Sequence, residues 1–154
     1  MAATEPLMSQ PFRHVFRVRY AELDPQGVVF NARYLEYADL IVTEYWDARE
    51  LRLSGEGALE FHVAKAEVNF RKPIRANEFI EGRAWTARIG SSSMTTRIEL
   101  HGHDEVRGDG APADDLRAEI ELVNVHVDLE TGKSMPIPQS ARDALLAEET
   151  EQRT

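Results

Sequence analysis

Cysteine is absent from the 154 residues, so disulfides, a thiolate nucleophile and cysteine-ligated zinc are all unavailable, and any chemistry must rest on oxygen or nitrogen. No window approaches the roughly 20 apolar residues that a membrane-crossing helix needs. Met1 to Pro11 carries neither the basic start nor the apolar stretch of a secretory signal. Basic residues are the minority. Eighteen Lys and Arg against 27 Asp and Glu leave a formal net charge of -9, which argues against a nucleic-acid partner, because tracking phosphate backbones takes clustered cations. Internal repeats and low-complexity blocks are missing too. A protein of the cytoplasm, with no membrane and no nucleic acid among its partners, is the resulting expectation. What is present is apolar material: 42% of the chain is hydrophobic, enough for one compact core.

Residues 1–11 have little periodicity and read as a flexible arm, leaving 12–150 as a single domain. Phe12 to Tyr20 alternates as a strand. From Asn31 to about Leu53 the apolar positions Tyr34, Tyr37, Ala38, Ile41, Val42, Tyr45 and Trp46 recur at steps of three and four, which predicts one long helix with a buried face. Asn31 reads as its N-cap, and Ser54-Gly55 with Gly57 as its stop. The period then falls to two over His62 to Phe70, Phe79 to Ile89, Ser91 to His103 and Leu116 to Leu129, predicting four strands on hairpin connections. A flexible tip is expected at Gly108 to Pro112. Ser140 is expected to cap a short helix from Ala141 to about Glu149. A lone long helix among antiparallel strands must bury its stripe against one sheet face, which gives an α+β fold.

One stretch carries chemistry. Asp24-Pro25-Gln26-Gly27 is a tight turn, with Pro25 fixing one backbone angle and Gly27 free to take a positive one. It stands immediately ahead of the long helix. A helix start offers unpaired N–H groups and the positive end of a dipole, where a carbonyl oxygen can be polarised while a nearby carboxylate works on its carbon. A thioester suits such a site, having little of the resonance that protects an amide. Asp24 either attacks it directly or deprotonates a water, and the residues leave both routes open. The competing reading is structural: Asp before Pro-x-Gly also starts turns by bonding a backbone N–H.

The run Asp-x-x-Gly-x-Val-x-x-x-x-Tyr from Asp24 to Tyr34, with Arg19-Tyr20 before it and a helix and four strands after it, resembles the hotdog-fold acyl-CoA thioesterases of the 4-hydroxybenzoyl-CoA thioesterase type. It is similar also to the acyl-CoA thioesterases associated with the Tol-Pal system. The resemblance covers residues 13 to 140 and implies an antiparallel sheet wrapped around one long central helix. It implies that Asp24 is the catalytic carboxylate, that backbone N–H groups near Phe30 and Asn31 polarise the thioester carbonyl, and that Tyr34 supports the loop. It implies a homodimer or homotetramer paired through its sheets, with active sites at the dimer interface. The thioester is then the substrate and no separate cofactor is needed. Asn31 departs from the tyrosine or histidine of some relatives, which leaves the acyl group open, as it leaves coenzyme A against an acyl carrier protein.

Coenzyme A carries phosphates, so basic residues should meet it. Arg71, Lys72 and Arg75 cluster around Pro73, and Arg88 precedes Ser91 and Ser92, whose N–H and hydroxyl groups can face a phosphate. Glu36 and Glu44 are rival acids within the helix. Glu44 is the better placed of the two, but exposed carboxylates are the rule for Glu. His101 and His103 share a strand face, yet two ligands fall short of the three or four a metal site uses. No metal is expected. Two alternatives to a thioesterase stand: a hotdog protein that binds an acyl-CoA or acyl carrier without cleaving it, and a dehydratase, which would call for a histidine in the Asp24 to Tyr34 motif.

Overall fold

The computed structural model describes residues 11–103 and 114–147. The arm at residues 1–10, the tip at Gly108 to Pro112 and the chain beyond Ala147 lie outside the described residues. In order come β1 (Phe12–Arg17), a single 3₁₀ turn (Tyr20–Glu22), α1 (Arg33–Ala48), β2 (Phe61–Phe70), β3 (Phe79–Ile89), β4 (Ser93–His103), β5 (Leu116–His126) and α2 (Gln139–Leu146). No described helix is long and apolar enough to cross a membrane.

All five strands form one antiparallel sheet in the order β1-β3-β4-β5-β2. Alternate residues of β4 and β5 (Met94, Thr96, Ile98 and Leu100; Ala118, Ile120 and Leu122) are buried on one face. The seven helix residues that the sequence marks as apolar, from Tyr34 to Trp46, are the buried residues of α1. They lie on that face, where Gly82, Ala84 and Ala118 keep the sheet low enough for the helix to approach. This is the α+β hotdog arrangement, a sheet curled about one long helix.

The helix is shorter than its periodicity suggests. It closes at Ala48, and Glu50 takes a left-handed φ of 59°. The Leu51 N–H reaches the Trp46 carbonyl at 3.1 Å and the Glu50 N–H that of Asp47 at 2.9 Å, the crossed pair of bonds of a helix-ending motif that usually employs glycine. Its start also differs: Asn31 is not the cap. Ala32 holds that position, without a side-chain bond. α2 begins at Gln139 behind Pro138, so Ser140 lies inside it.

The connections differ in one respect that matters for function. β2 does not form a hairpin with β3; it pairs with β5 at the opposite edge. Residues 71–78 therefore cross three strand spacings, roughly 14 Å. On the way they run beneath the start of α1, where Val29 N–H donates to the Ile74 carbonyl at 2.8 Å and Val28 bridges Arg75. That crossover carries Arg71, Lys72 and Arg75 to the residues around Asp24.

Candidate active site

Residues 22–30 form a small hairpin. The Asp24 N–H donates to the Val28 carbonyl at 2.8 Å, Leu23 bridges Val29, and the Phe30 N–H donates to the Glu22 carbonyl at 3.0 Å. Its tip is Asp24-Pro25-Gln26-Gly27, closed by Gly27 N–H to Asp24 carbonyl at 3.0 Å, with Gly27 at a positive φ of 78°. Both readings of Asp24 have a place here. Its Oδ1 accepts the Gln26 N–H at 2.8 Å as a turn-former does. Among the described residues Oδ2 has no partner and no ion pair seals the group.

The outgoing hairpin strand leads straight into α1, and the donors at that junction can be counted. Phe30 N–H is spent on Glu22, so it cannot polarise a substrate carbonyl as expected. Arg33 and Tyr34 N–H groups bond the carbonyls of Phe30 and Asn31. Asn31 and Ala32 are left with N–H groups that meet no acceptor among the described residues. These two, at the positive end of the helix, are the available pair. Ala32 carries no functional side chain, so the sequence offered nothing to single it out.

Beside the junction is an open cavity of about 330 Å³ lined by Val28, Val29, Asn31, Tyr34, Phe70 and the Arg71–Pro73 segment. It gathers Asn31 and Tyr34 with Arg71 and Lys72 from two separate stretches of sequence. Tyr34 is buried, which raises its hydroxyl pKa, and its ring meets Phe70 edge-on at 4.8 Å. Phe70 itself is 51% exposed. Asp24 is not in the wall; it stands partly exposed on the hairpin beyond Val28.

The cations of the rim are already engaged. Arg71 meets Glu119 at 2.6 Å and Lys72 meets Asp115 at 3.1 Å. Behind them the mostly buried Arg117 guanidinium bonds Glu78 at 2.7 Å, Asp115 at 2.8 Å and the Pro73 carbonyl at 2.9 Å. Those bonds from Arg117 and Lys72, against the opposing effect of burial, hold Asp115 down to about 2. Burial pushes Glu78 up, but Arg117 and the Arg75 N–H outweigh it and keep its pKa below the ordinary value. The crossover thus rests on a charged buttress that no local sequence pattern announces.

Arg88, Ser91 and Ser92 are not brought to this cavity within the protomer. Arg88 lies at the far end of β3, roughly 30 Å along the strand from Phe79, and Ser91 and Ser92 follow that end. There the Ser91 carbonyl accepts Ile137 N–H and the Arg142 guanidinium, and Ser92 receives His126 N–H, seating the loop on α2. Glu36 pairs with Arg33 at 2.9 Å on the exposed helix face. Glu44 lies about 16 Å along the helix from its start. His101 meets Glu99 at 3.1 Å. Among the described residues no group of three or more His, Asp or Glu stands ready to hold a metal ion.

Comparison with known proteins places this geometry. The family model described as the thioesterase-like superfamily matches residues 18–145. A search of curated proteins found no match. Among solved structures, a Thermus thermophilus thioesterase complexed with coenzyme A and zinc is 25% identical, with a TM-score of 0.70 over 88% of this chain and 97% of its own. A 1,4-dihydroxy-2-naphthoyl-CoA thioesterase from Synechocystis is 17% identical, with a TM-score of 0.74 over 88% and 96%. A thioesterase-superfamily protein from a Jannaschia species is 20% identical, with a TM-score of 0.76 over 89% and 82%. The last two establish the fold alone.

Proposed function

Because this chain belongs to the thioesterase-like superfamily and is by that membership a thioester hydrolase, we propose that it cleaves an acyl-CoA with Asp24 as the reacting carboxylate. The observation that carries the proposal is the junction itself. A carboxylate with one oxygen fixed by its turn and the other unpartnered stands on a hairpin that runs directly into two unpaired N–H groups at a helix start. The thioester carbonyl oxygen would take the Asn31 and Ala32 N–H groups. Asp24 would then either add to the carbonyl carbon, giving a mixed anhydride that water opens, or draw a proton from the water that adds. In both routes the C–S bond breaks, the thiol leaves with a proton, and a carboxylic acid remains.

Coenzyme A as the leaving group is supported by Arg71 and Lys72 at the cavity rim and by its presence in the Thermus relative's complex. An acyl carrier protein is the other carrier of the same thiol. The protein would work as a homodimer, itself able to pair into a tetramer, in the cytoplasm. The support for pairing is β2, an edge strand whose outer side has no neighbour among the described residues and which leaves Val63 60% exposed. Since Phe70 packs on Tyr34 at one end of β2 and Phe61 on Trp46 at 5.2 Å at the other, antiparallel pairing of two copies would bring one protomer's helix start near the other's Trp46.

The test is thiol release from a panel of acyl-CoA thioesters by the native protein and by Asp24→Asn, which removes the charge and keeps the size. The variant should fold normally and lose at least about 100-fold in kcat, the scale of a catalytic proton-transfer group. Near-native turnover by that variant would reject Asp24. Binding without thiol release by the native protein would favour a carrier-binding role instead.

A further inference from the structure

One buried carboxylate next to the junction is left unused by the proposed reaction. Glu22 is 5% exposed, and a carboxylate taken out of water is costly unless its lone pairs are filled. Here they are filled. Oε1 accepts the Arg19 N–H at 2.7 Å and the Tyr37 hydroxyl at 3.0 Å, and Oε2 accepts the Arg19 guanidinium at 3.1 Å. Burial acts to raise its pKa, but these bonds prevail and hold it below the usual value, so the group is charged. The same residue's carbonyl accepts the Phe30 N–H, closing the base of the Asp24 hairpin.

The hairpin's backbone bonds fix its internal shape but not its angle to α1. On its outgoing side the crossover holds it through Ile74 and Arg75. On its incoming side the bonds to the helix, among the described residues, are two: Tyr37 hydroxyl to Glu22, buried, and Arg33 guanidinium to the Ala21 carbonyl at 3.4 Å, exposed. Asp24 stands two residues beyond Glu22, about 7 Å along the strand, so a 10° tilt would carry it roughly 1.2 Å. A shift near 1 Å in a reacting group is enough to cost on the order of 100-fold.

We infer that Glu22 and Tyr37 form a buried tether that sets the Asp24 carboxylate against the Asn31 and Ala32 N–H groups, making both of them positioning residues for the hydrolysis. This rests on Asp24 being the reacting carboxylate. Tyr37→Phe removes one oxygen atom and leaves the packing. It should lower kcat by about 10- to 100-fold while KM stays within about twofold, and it should add nothing on top of Asp24→Asn, since no carboxylate remains to be placed. Glu22→Gln keeps an oxygen for the Tyr37 hydroxyl and gives up the charge. It should hold kcat within about fivefold of native, whereas Glu22→Ala, which removes the acceptor, should lose about as much kcat as Tyr37→Phe and add nothing to Asp24→Asn, so the question stays answerable even if Tyr37→Phe fails to fold.

Native kcat in Tyr37→Phe overturns the tether. So does an equal further loss in the Asp24→Asn background, because that is damage indifferent to Asp24. A loss in Glu22→Gln as deep as in Tyr37→Phe also overturns it, by assigning the effect to the charge. Native turnover in Asp24→Asn strikes the catalytic reading itself, a result separate from all three.

Discussion

Gly82 on β3 lies directly beneath Ile41 of α1, so close that a Cβ at Gly82 would overlap the γ and δ carbons of the isoleucine. Ile41 is completely buried and has no room to turn aside. Gly82→Ala should therefore lift the helix from the sheet and destabilise the fold by about 1–3 kcal/mol, the usual cost of overpacking. Ile41→Ala in the same chain should recover part of that loss, a coupling expected only of touching residues. Denaturant midpoints of the two single variants and the double variant check it.

Acid should loosen the crossover first. Asp115 titrates at about 2 in the folded protein, against 3.8 as its ordinary value, and Glu78 is lowered as well. A depressed carboxylate gives stability that is complete above the unfolded-state pKa and is lost as pH falls through the folded one. Unfolding midpoints should accordingly hold from neutral pH into the ordinary carboxylate range, then decline steadily toward pH about 2. Asp115→Asn should flatten part of that decline. An unchanged acid profile in this variant would show that the buttress contributes nothing.

The unpaired edge predicts the assembly. Val63 is exposed near the start of the outer strand, and a lysine there places a charge where a second copy would lie. Val63→Lys should shift the mass in solution, measured by light scattering on a sizing column, from dimer toward protomer. A dimer of undiminished stability would move the interface elsewhere.

Arg71 and Lys72 offer a test of the leaving group. If they meet phosphate, replacing both with alanine should raise KM for an acyl-CoA by about 10-fold or more, at roughly 1 kcal/mol per exposed charged contact. The same acyl group on a short thiol without phosphates should show no change. Equal effects on both substrates would mean that the pair only braces the crossover through Glu119 and Asp115.

The buried face of α1 was legible because a helix repeats it: each residue from Tyr34 to Trp46 that the spacing marks is inside. β3 falls where its alternation puts it. The helix end was illegible because Glu50, rather than a glycine, takes the left-handed angle. The strand order was illegible because Pro73 and Asn77 look the same in a crossover as in a hairpin, and pairing of β2 with β5 is a long-range choice. At the candidate site, the turn is local and could be read, and the helix start was read to within two residues. Which N–H groups remain free depends on a bond between Phe30 and Glu22, and the shielding of Lys72 on an aspartate 43 residues away. Arg19 three residues before Glu22 was the one local hint that a carboxylate there was being held.

The pairing of β2 with β5 sets the order in which the protein can be built. Phe61 faces His126 and Phe70 faces Ala118, so a strand finished early has no partner until the chain has lengthened by some 50 residues. The far end of α1 waits as well, for the Leu145 carbonyl that receives the Tyr45 hydroxyl at 3.2 Å. During synthesis part of an apolar helix face and a bare strand edge are thus left without these partners until β5 and α2 have been made. That interval is where late pairing of this kind is most open to aggregation.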